Sequence, residues 1–319
     1  MTLANTRTDR ELVSTFAGET LAIPAGLCVA EEMPDILEAR KPLTGFIGFC
    51  RRNPAIAIGG GVLLIMLFMA IAAPYLGTHD PTAIAPARRT RAPSAVNWFG
   101  TDALGRDIYS RCIYGARVSL VVGFGVAFLS AVAGLTIGVV SAMIRTLDGV
   151  VMRAIDGLMS IPPILLAIAL MALTRGSIEN VIIAITLAEI PRVARLMRGI
   201  VLSLRELPYV EAAIAAGTRT PMLILRHILP NTFASMSVQA TYICASAMIT
   251  ESILSFIGAG IPPSVSSWGN IMADGRTLWQ VKPFIILFPA MFLSLTVLAV
   301  NLLGDGMRDL LDPRLAKRL

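Results

Sequence analysis

Charge is scarce in this sequence. Only 15% of its 319 residues are Asp, Glu, Lys or Arg, against roughly 25% in a soluble domain, and 55% are apolar. Lysine is almost missing, with three copies beside 24 arginines, and only two histidines occur, His79 and His227. No G-x-x-x-x-G-K-[ST] is present and no lysine follows a glycine, which excludes the loop that cradles nucleotide phosphates by that device. H-E-x-x-H and G-x-S-x-G are absent too, and no cluster of His and acids could organise a metal or a nucleophile. No catalytic residue and no metal ligand are therefore expected, and the chain does not read as an enzyme. The four cysteines, Cys28, Cys50, Cys112 and Cys244, share no short spacing, so neither a metal knuckle nor a disulfide framework is indicated. The apolar runs do not alternate at every second residue, which excludes a β-barrel.

What is there is long apolar runs. A helix needs roughly 20 such residues to cross about 30 Å of hydrocarbon, and this length predicts an all-α polytopic membrane protein with six spans. The first runs from Ala55 to Ala73 between Pro54 and Pro74; the second, Val118 to Ile144, carries no charge and four glycines. The third, Gly157 to Thr174, holds Pro162 and Pro163, which predict a kink or a break. The fourth, Asn180 to Ile190, is short and contains Glu189. The fifth, Thr232 to Ile257, contains Glu251, and the sixth lies between Pro283 and Gly304. Glycines in spans two and three are read as sites of close helix packing.

Six spans place both termini on one side. On that assumption 18 Lys and Arg fall on the terminal side and 9 on the other, so both termini are expected to be cytoplasmic. The basic residues are scattered through loops, which makes them topology signals and not a nucleic-acid patch. The first outer loop, Tyr75 to Arg117, holds six arginines and fits this tally worst. Residues 1–40 include seven acids and no apolar stretch behind a basic start, which fits a cytosolic, flexible extension better than a signal or transit peptide. The expected organisation is thus 1–40 extension, 41–117 first span and outer loop, 118–304 five-helix core with a cytosolic loop at 192–231, and 305–319 cytosolic tail.

That loop contains "EAAIAAGTRTPMLILRHILPN", Glu211 to Asn231. Pro208 can open a helix, Glu211 falls in its first turn where the helix dipole favours a carboxylate, and the alanines keep its surface thin. Gly217 can end it in the left-handed conformation. Thr220 and Pro221 then read as the cap and first position of a second helix that Pro230 stops. Small side chains let another surface approach, and Glu211, Arg219 and Arg226 could fix its register. An ordinary solvated connector is the alternative reading.

The segment resembles the EAA loop of the membrane subunits of bacterial ABC importers: Glu-Ala-Ala, three residues, Gly217, nine residues and then His-Ile-Leu-Pro. His227 stands where the general pattern has Ile, a departure similar to the dipeptide/oligopeptide/nickel branch. "NWFGTDALGRDIYSRCIYGARVSL" (97–120), "SFIGAGIPPSVSSWGNIMADGR" (255–276) and "AVNLLGDGMRDLLDPR" (299–314) resemble that branch's second permease subunit. The likeness covers about residues 40 to 315. It implies a type I, MetI-like permease fold and docking of a cytosolic ATPase at Glu211, Ala212, Ala213 and Gly217, with Arg219, His227 and Pro230 in the same loop. It also implies a homologous second permease subunit, two ABC ATPases that use ATP and Mg, and a periplasmic or lipid-anchored solute-binding protein, with no cofactor on this chain.

Two acids within spans invite a role, because a charge at mid-membrane is costly. Glu189, near the end of span four beside Arg192, can snorkel to the surface or line a path. Glu251, toward the far end of span five, either pairs within the bundle or lines the substrate route. Asp102, Arg106 and Asp107 stand at spacings suited to local ion pairs and helix caps on the periplasmic side. The Gly/Pro-rich stretch after span five is expected to fold as a scoop over the outer mouth, with Trp268 at the interface. An ion-coupled secondary transporter is the rival function, and a scaffold or sensor without transport a third.

Overall fold

The computed structural model describes residues 46–311. The expected extension 1–40, Cys28 and the chain from 312 onward lie outside the described residues. Among the described residues there is no strand, only an isolated bridge between Thr101 and Asp107. Eleven helices follow in order: α1 Phe46–Arg52, α2 Pro54–Ala72, α3 Ile108–Met143, α4 Arg145–Met159, α5 Pro163–Leu173, α6 Ile178–Arg205, α7 Pro208–Ala215, α8 Thr220–Leu223, α9 Leu229–Ile257, α10 Trp268–Gly275 and α11 Phe284–Leu311.

Four stretches are long and apolar enough to cross a membrane: Pro54–Tyr75, Ile108–Met143, Thr220–Ile257 and Phe284–Leu311. The α4–α5 pair passes the same test only as one broken span, bent by 88°. The break falls at Ser160–Pro162, where Pro162 and Pro163 remove two successive amide donors. α6 is 28 residues long, but Glu189, Arg192, Arg195 and Arg198 keep it off that list.

α3 and α6 make the most extensive pairing, α9 packs on α3, and α11 lies against both α2 and α9. Two glycines one helical turn apart on α3 explain the first contact. A Cβ added at Gly138 would stand 2.7 Å from Cβ of Met197 and 2.8 Å from the Ala194 carbonyl, and one at Gly134 would collide with Val193. Without side chains there, the two backbones close to direct contact, which is how helices associate where lipid is as apolar as leucine. The main core gathers around this seam, with Val122, Val126, Ile185, Val193, Met197 and Met248 buried in it.

Four boundaries differ from the sequence expectation, one of them at α6, which runs on past Ile190 to Arg205 into the segment expected to be loop. α3 starts at Ile108 and not at Val118. The charges that argued against an earlier start are matched inside the protein: Arg111 pairs with Asp102 and Asp274, and Arg117 donates to the carbonyls of Ala70 and Ile71 that end α2. Pro230 does not stop the second loop helix. Residues Ile224–Ile228 widen into a π-turn, with Leu229 N–H bonded to Ile224 O, so the chain passes the proline ring and continues to Ile257. α11 also runs on past Gly304 to Leu311, into the segment expected to be tail.

Candidate functional site

The elbow between α6 and α9 is built from three short pieces. Leu207 is extended, Pro208 occupies the first turn of α7 where its missing N–H costs nothing, and Glu211 lies in that turn. Gly217, at φ +80°, reverses the chain: its N–H bonds to Ile214 O at 2.9 Å and the Thr218 N–H reaches Ala213 O at 3.1 Å. This six-to-one, five-to-two pair is the Schellman ending, which only glycine enters without strain. α8 then starts at Thr220 with Arg219 in the cap position, one residue earlier than Thr220 as cap would give.

Burial divides the elbow into an anchor and a free face. Val210, Leu223 and Ile228 are buried against Val139 and Ala142 of α3 and Val201 of α6. Glu211, Ala212, Ala215, Ala216 and Gly217 are exposed, and Ala213 is half-buried. His227 is half-buried, with its ring 6.4 Å from that of Tyr209, and Pro230 and Arg219 are exposed. A cavity of about 610 Å³ opens behind α7, lined by Met143, Arg145, Asp148, Arg205 and Glu211 among others. Arg198 grips Asp148 through two hydrogen bonds of 2.5 Å, tying α4 to α6, and Arg205 donates to Ala142 O at the end of α3. The arrangement is a thin, alanine-surfaced helix held rigidly to three helix ends, with room for another surface to press on it. The anchor residues escaped the sequence reading, because three apolar residues in a polar loop look unremarkable until α3 and α6 supply the other half of their contact.

At the opposite end of α3 the chain builds a buried charge quartet. Arg106 donates to Asp102 and Asp274, each at 2.7 Å, and Arg111 to the same two carboxylates at 2.6 and 2.7 Å. Asp107 accepts from Ser110 N at 2.8 Å at the start of α3 and from Asn97 at 2.8 Å. Asp274 and Arg111 were not singled out from sequence, since Asp274 is 168 residues from Arg106 and no local signal joins them. The segment between α9 and α10 is a compact loop whose carbonyls at Ile261, Pro262 and Val265 all accept from Asn270 Nδ2. Trp268 is fully buried, its indole N–H bonded to Cys112 O at 3.0 Å, and does not rest at a membrane interface. The protein supplies the polar partner that a headgroup layer would otherwise offer.

Of the two acids within spans, Glu251 is fully enclosed, and Ser255 and Ser252 donate to it at 2.9 and 3.4 Å. Glu189 does not snorkel. It is 3% exposed, with Arg192 Nη1 at 3.2 Å and the Ser246 hydroxyl at 3.4 Å.

Comparison with known proteins agrees with this architecture. Residues 134–317 match the family described as binding-protein-dependent transport system inner membrane component, and residues 50–93 match the N-terminal TM domain of oligopeptide transport permease C. A Sinorhizobium fredii protein named "probable peptide ABC transporter permease protein" is 50% identical over 85% of this chain and 93% of its own. The dipeptide transport system permease protein DppC of Alkalihalophilus pseudofirmus is 38% identical over 83% of this chain and 88% of its own. The oligopeptide transport system permease protein OppC of Bacillus subtilis is 36% identical over 84% and 88%. A solved structure of the MetNI methionine ABC transporter in an inward-facing conformation superposes with a TM-score of 0.55 at 20% identity, covering 64% of this chain and 98% of that one, a likeness of fold. With a rigid elbow on an all-helical bundle, a family match over more than half its length and relatives along most of it, this chain belongs to the binding-protein-dependent transport system inner membrane components, in the permease-C branch.

Proposed function

We propose that this chain is one of two homologous permease subunits of an ATP-driven importer that carries peptides or related small solutes across the cytoplasmic membrane. The names of its relatives support peptide cargo. It crosses the membrane six times: the four long apolar helices, the broken α4–α5 segment and α6, with the charges of α6 turned to protein and path. The excess of Lys and Arg at the terminal side supports cytoplasmic termini and a cytoplasmic elbow. Two cytosolic ABC ATPases grip the elbow and consume ATP with Mg, and a periplasmic or lipid-anchored binding protein delivers the solute. The chain itself carries no cofactor and does no chemistry.

One observation carries the coupling role: the exposed Glu211–Gly217 face is fixed by Val210, Leu223 and Ile228 to the ends of α3 and α6 and runs on into α9. A displacement of that face cannot be absorbed locally, so it moves three membrane helices together. Glu211→Lys combined with Gly217→Trp tests this in the reconstituted importer. Uptake driven by ATP is expected to fall to background while the second permease subunit still co-purifies. Retained uptake in the double variant overturns docking at the elbow, and a purified chain that transports without any ATPase overturns the importer reading.

A further inference from the structure

Polar side chains of α6, α9 and α11 gather around two separate cavities. On α9, Ser235, Gln239, Tyr242, Ser246 and Thr250 recur at helical spacing along one side, and none of them is buried. α11 contributes exposed Asn301 to a cavity of about 170 Å³ with Tyr242, Ser246 and Thr250, and exposed Arg308, two turns on, to a cavity of about 590 Å³ with Gln239. α6 presents Glu189 and Arg192 to the same side. Ser246 donates to Glu189, and the Arg192 guanidinium lies over the Tyr242 ring, 5.6 Å from its centre. A stripe of this kind facing lipid would leave hydrogen-bonding groups without partners, which is costly in hydrocarbon.

The stripe is also chemically unfinished. Gln239 Nε2 is a buried atom with no hydrogen-bond partner, and beside it Glu189 Oε2 and Arg192 Nη1 have only each other, as an ion pair at 3.2 Å. Glu251 is fully buried and enclosed by serines. We infer that Glu189 and Arg192, with Gln239 beside them, form a transit site for the charged termini of a zwitterionic, peptide-like solute. A solute carboxylate takes the guanidinium of Arg192 while the solute ammonium takes Glu189. Ion pair is exchanged for ion pair, so the solute is held strongly enough to enter and weakly enough to leave. This inference rests on the permease reading and names the residues through which such a path would handle charge.

The test uses the complete importer with its binding protein in proteoliposomes and compares each variant with wild type for three probes: a radiolabelled dipeptide, its C-terminal amide and its N-acetyl form. Taking variant-to-wild-type ratios cancels the binding protein's own preference. Arg192→Gln is expected to lower uptake of the free dipeptide about tenfold more than that of the amide, with Arg192→Lys recovering part of the loss. Glu189→Gln is expected to spare the N-acetyl form in the same way. In addition, Ser246→Cys and Thr250→Cys should react with a charged, water-soluble thiol reagent above the wild-type background, whereas exposed apolar Phe128→Cys should not. Equal loss for all three probes, no loss, or loss of the second permease on purification overturns the inference, the last identifying the stripe as a subunit interface. Absence of ATP-driven uptake of every probe by the wild-type complex overturns instead the permease reading on which it stands.

Discussion

Arg111 is the side chain whose removal is expected to cost most. It is fully buried and shares two carboxylates with Arg106, so Arg111→Met leaves Asp102, also fully buried, with half its compensation. Breaking a buried pair from one side costs about 3–5 kcal/mol, because the charge left behind has no solvent. We expect little or no monodisperse protein, or a sharply lowered unfolding midpoint in detergent. Asp274→Asn should cost less, about 1–3 kcal/mol, since Asp274 keeps 26% of its side chain exposed and both arginines still reach Asp102. An equal drop for the two variants would contradict the quartet. At Gly217 the cost is conformational and not steric: nothing lies within 4 Å of an added Cβ, but φ is +80°. Gly217→Ala is therefore expected to lower stability by about 1 kcal/mol, read as a small shift in the same melting experiment. Of these residues only Gly217 and the Asp102–Arg106–Asp107 cluster were legible in the sequence, because their roles depend on neighbours within a few positions.

At the scale of elements, the α3–α6 seam is where a single methylene group matters. Gly138→Leu must displace Met197 or the α6 backbone and should cost about 1–3 kcal/mol or more, whereas Gly149→Ala on α4 meets open space inside a helix and should be neutral to slightly stabilising. Comparing the yield of folded protein for the two variants checks this; an equally tolerated Gly138→Leu would mean that α3 and α6 do not approach as described. Helix existence was readable from apolar length, and the break at Pro162–Pro163 from composition. The starts of α3 and the passage through Pro230 were not, since each depends on partners distant in sequence: carbonyls ending α2 for Arg117, Asp274 for Arg111, and the packed elbow for the π-turn.

For the whole molecule the decisive question is which way the elbow faces. Alkaline phosphatase fused within residues 77–95 is expected to be active, as an exported enzyme is, and fused at Gly217 inactive, with a cytoplasmic reporter giving the reverse. Activity at the elbow fusion would invert the topology and remove the docking surface from the reach of any ATPase. Under the proposed function α9 would connect the elbow to the solute path, because the helix begins at Leu229 and carries Gln239, Tyr242 and Ser246, which line two cavities.

The amino-acid order alone determined that this is a helical membrane chain and where its alanine-rich elbow starts and turns, since hydrophobic length, helix-capping chemistry and the glycine reversal are local properties. Only the tertiary structure decided what anchors that elbow, how four charges are neutralised at the far end of α3, and that Glu189 and Arg192 meet Ser246 and Tyr242 on the polar side of α9. Those outcomes depend on which helix faces are brought together, and the free energy of burying a charge or a methyl group is set by the surface that covers it, which no stretch of sequence carries by itself.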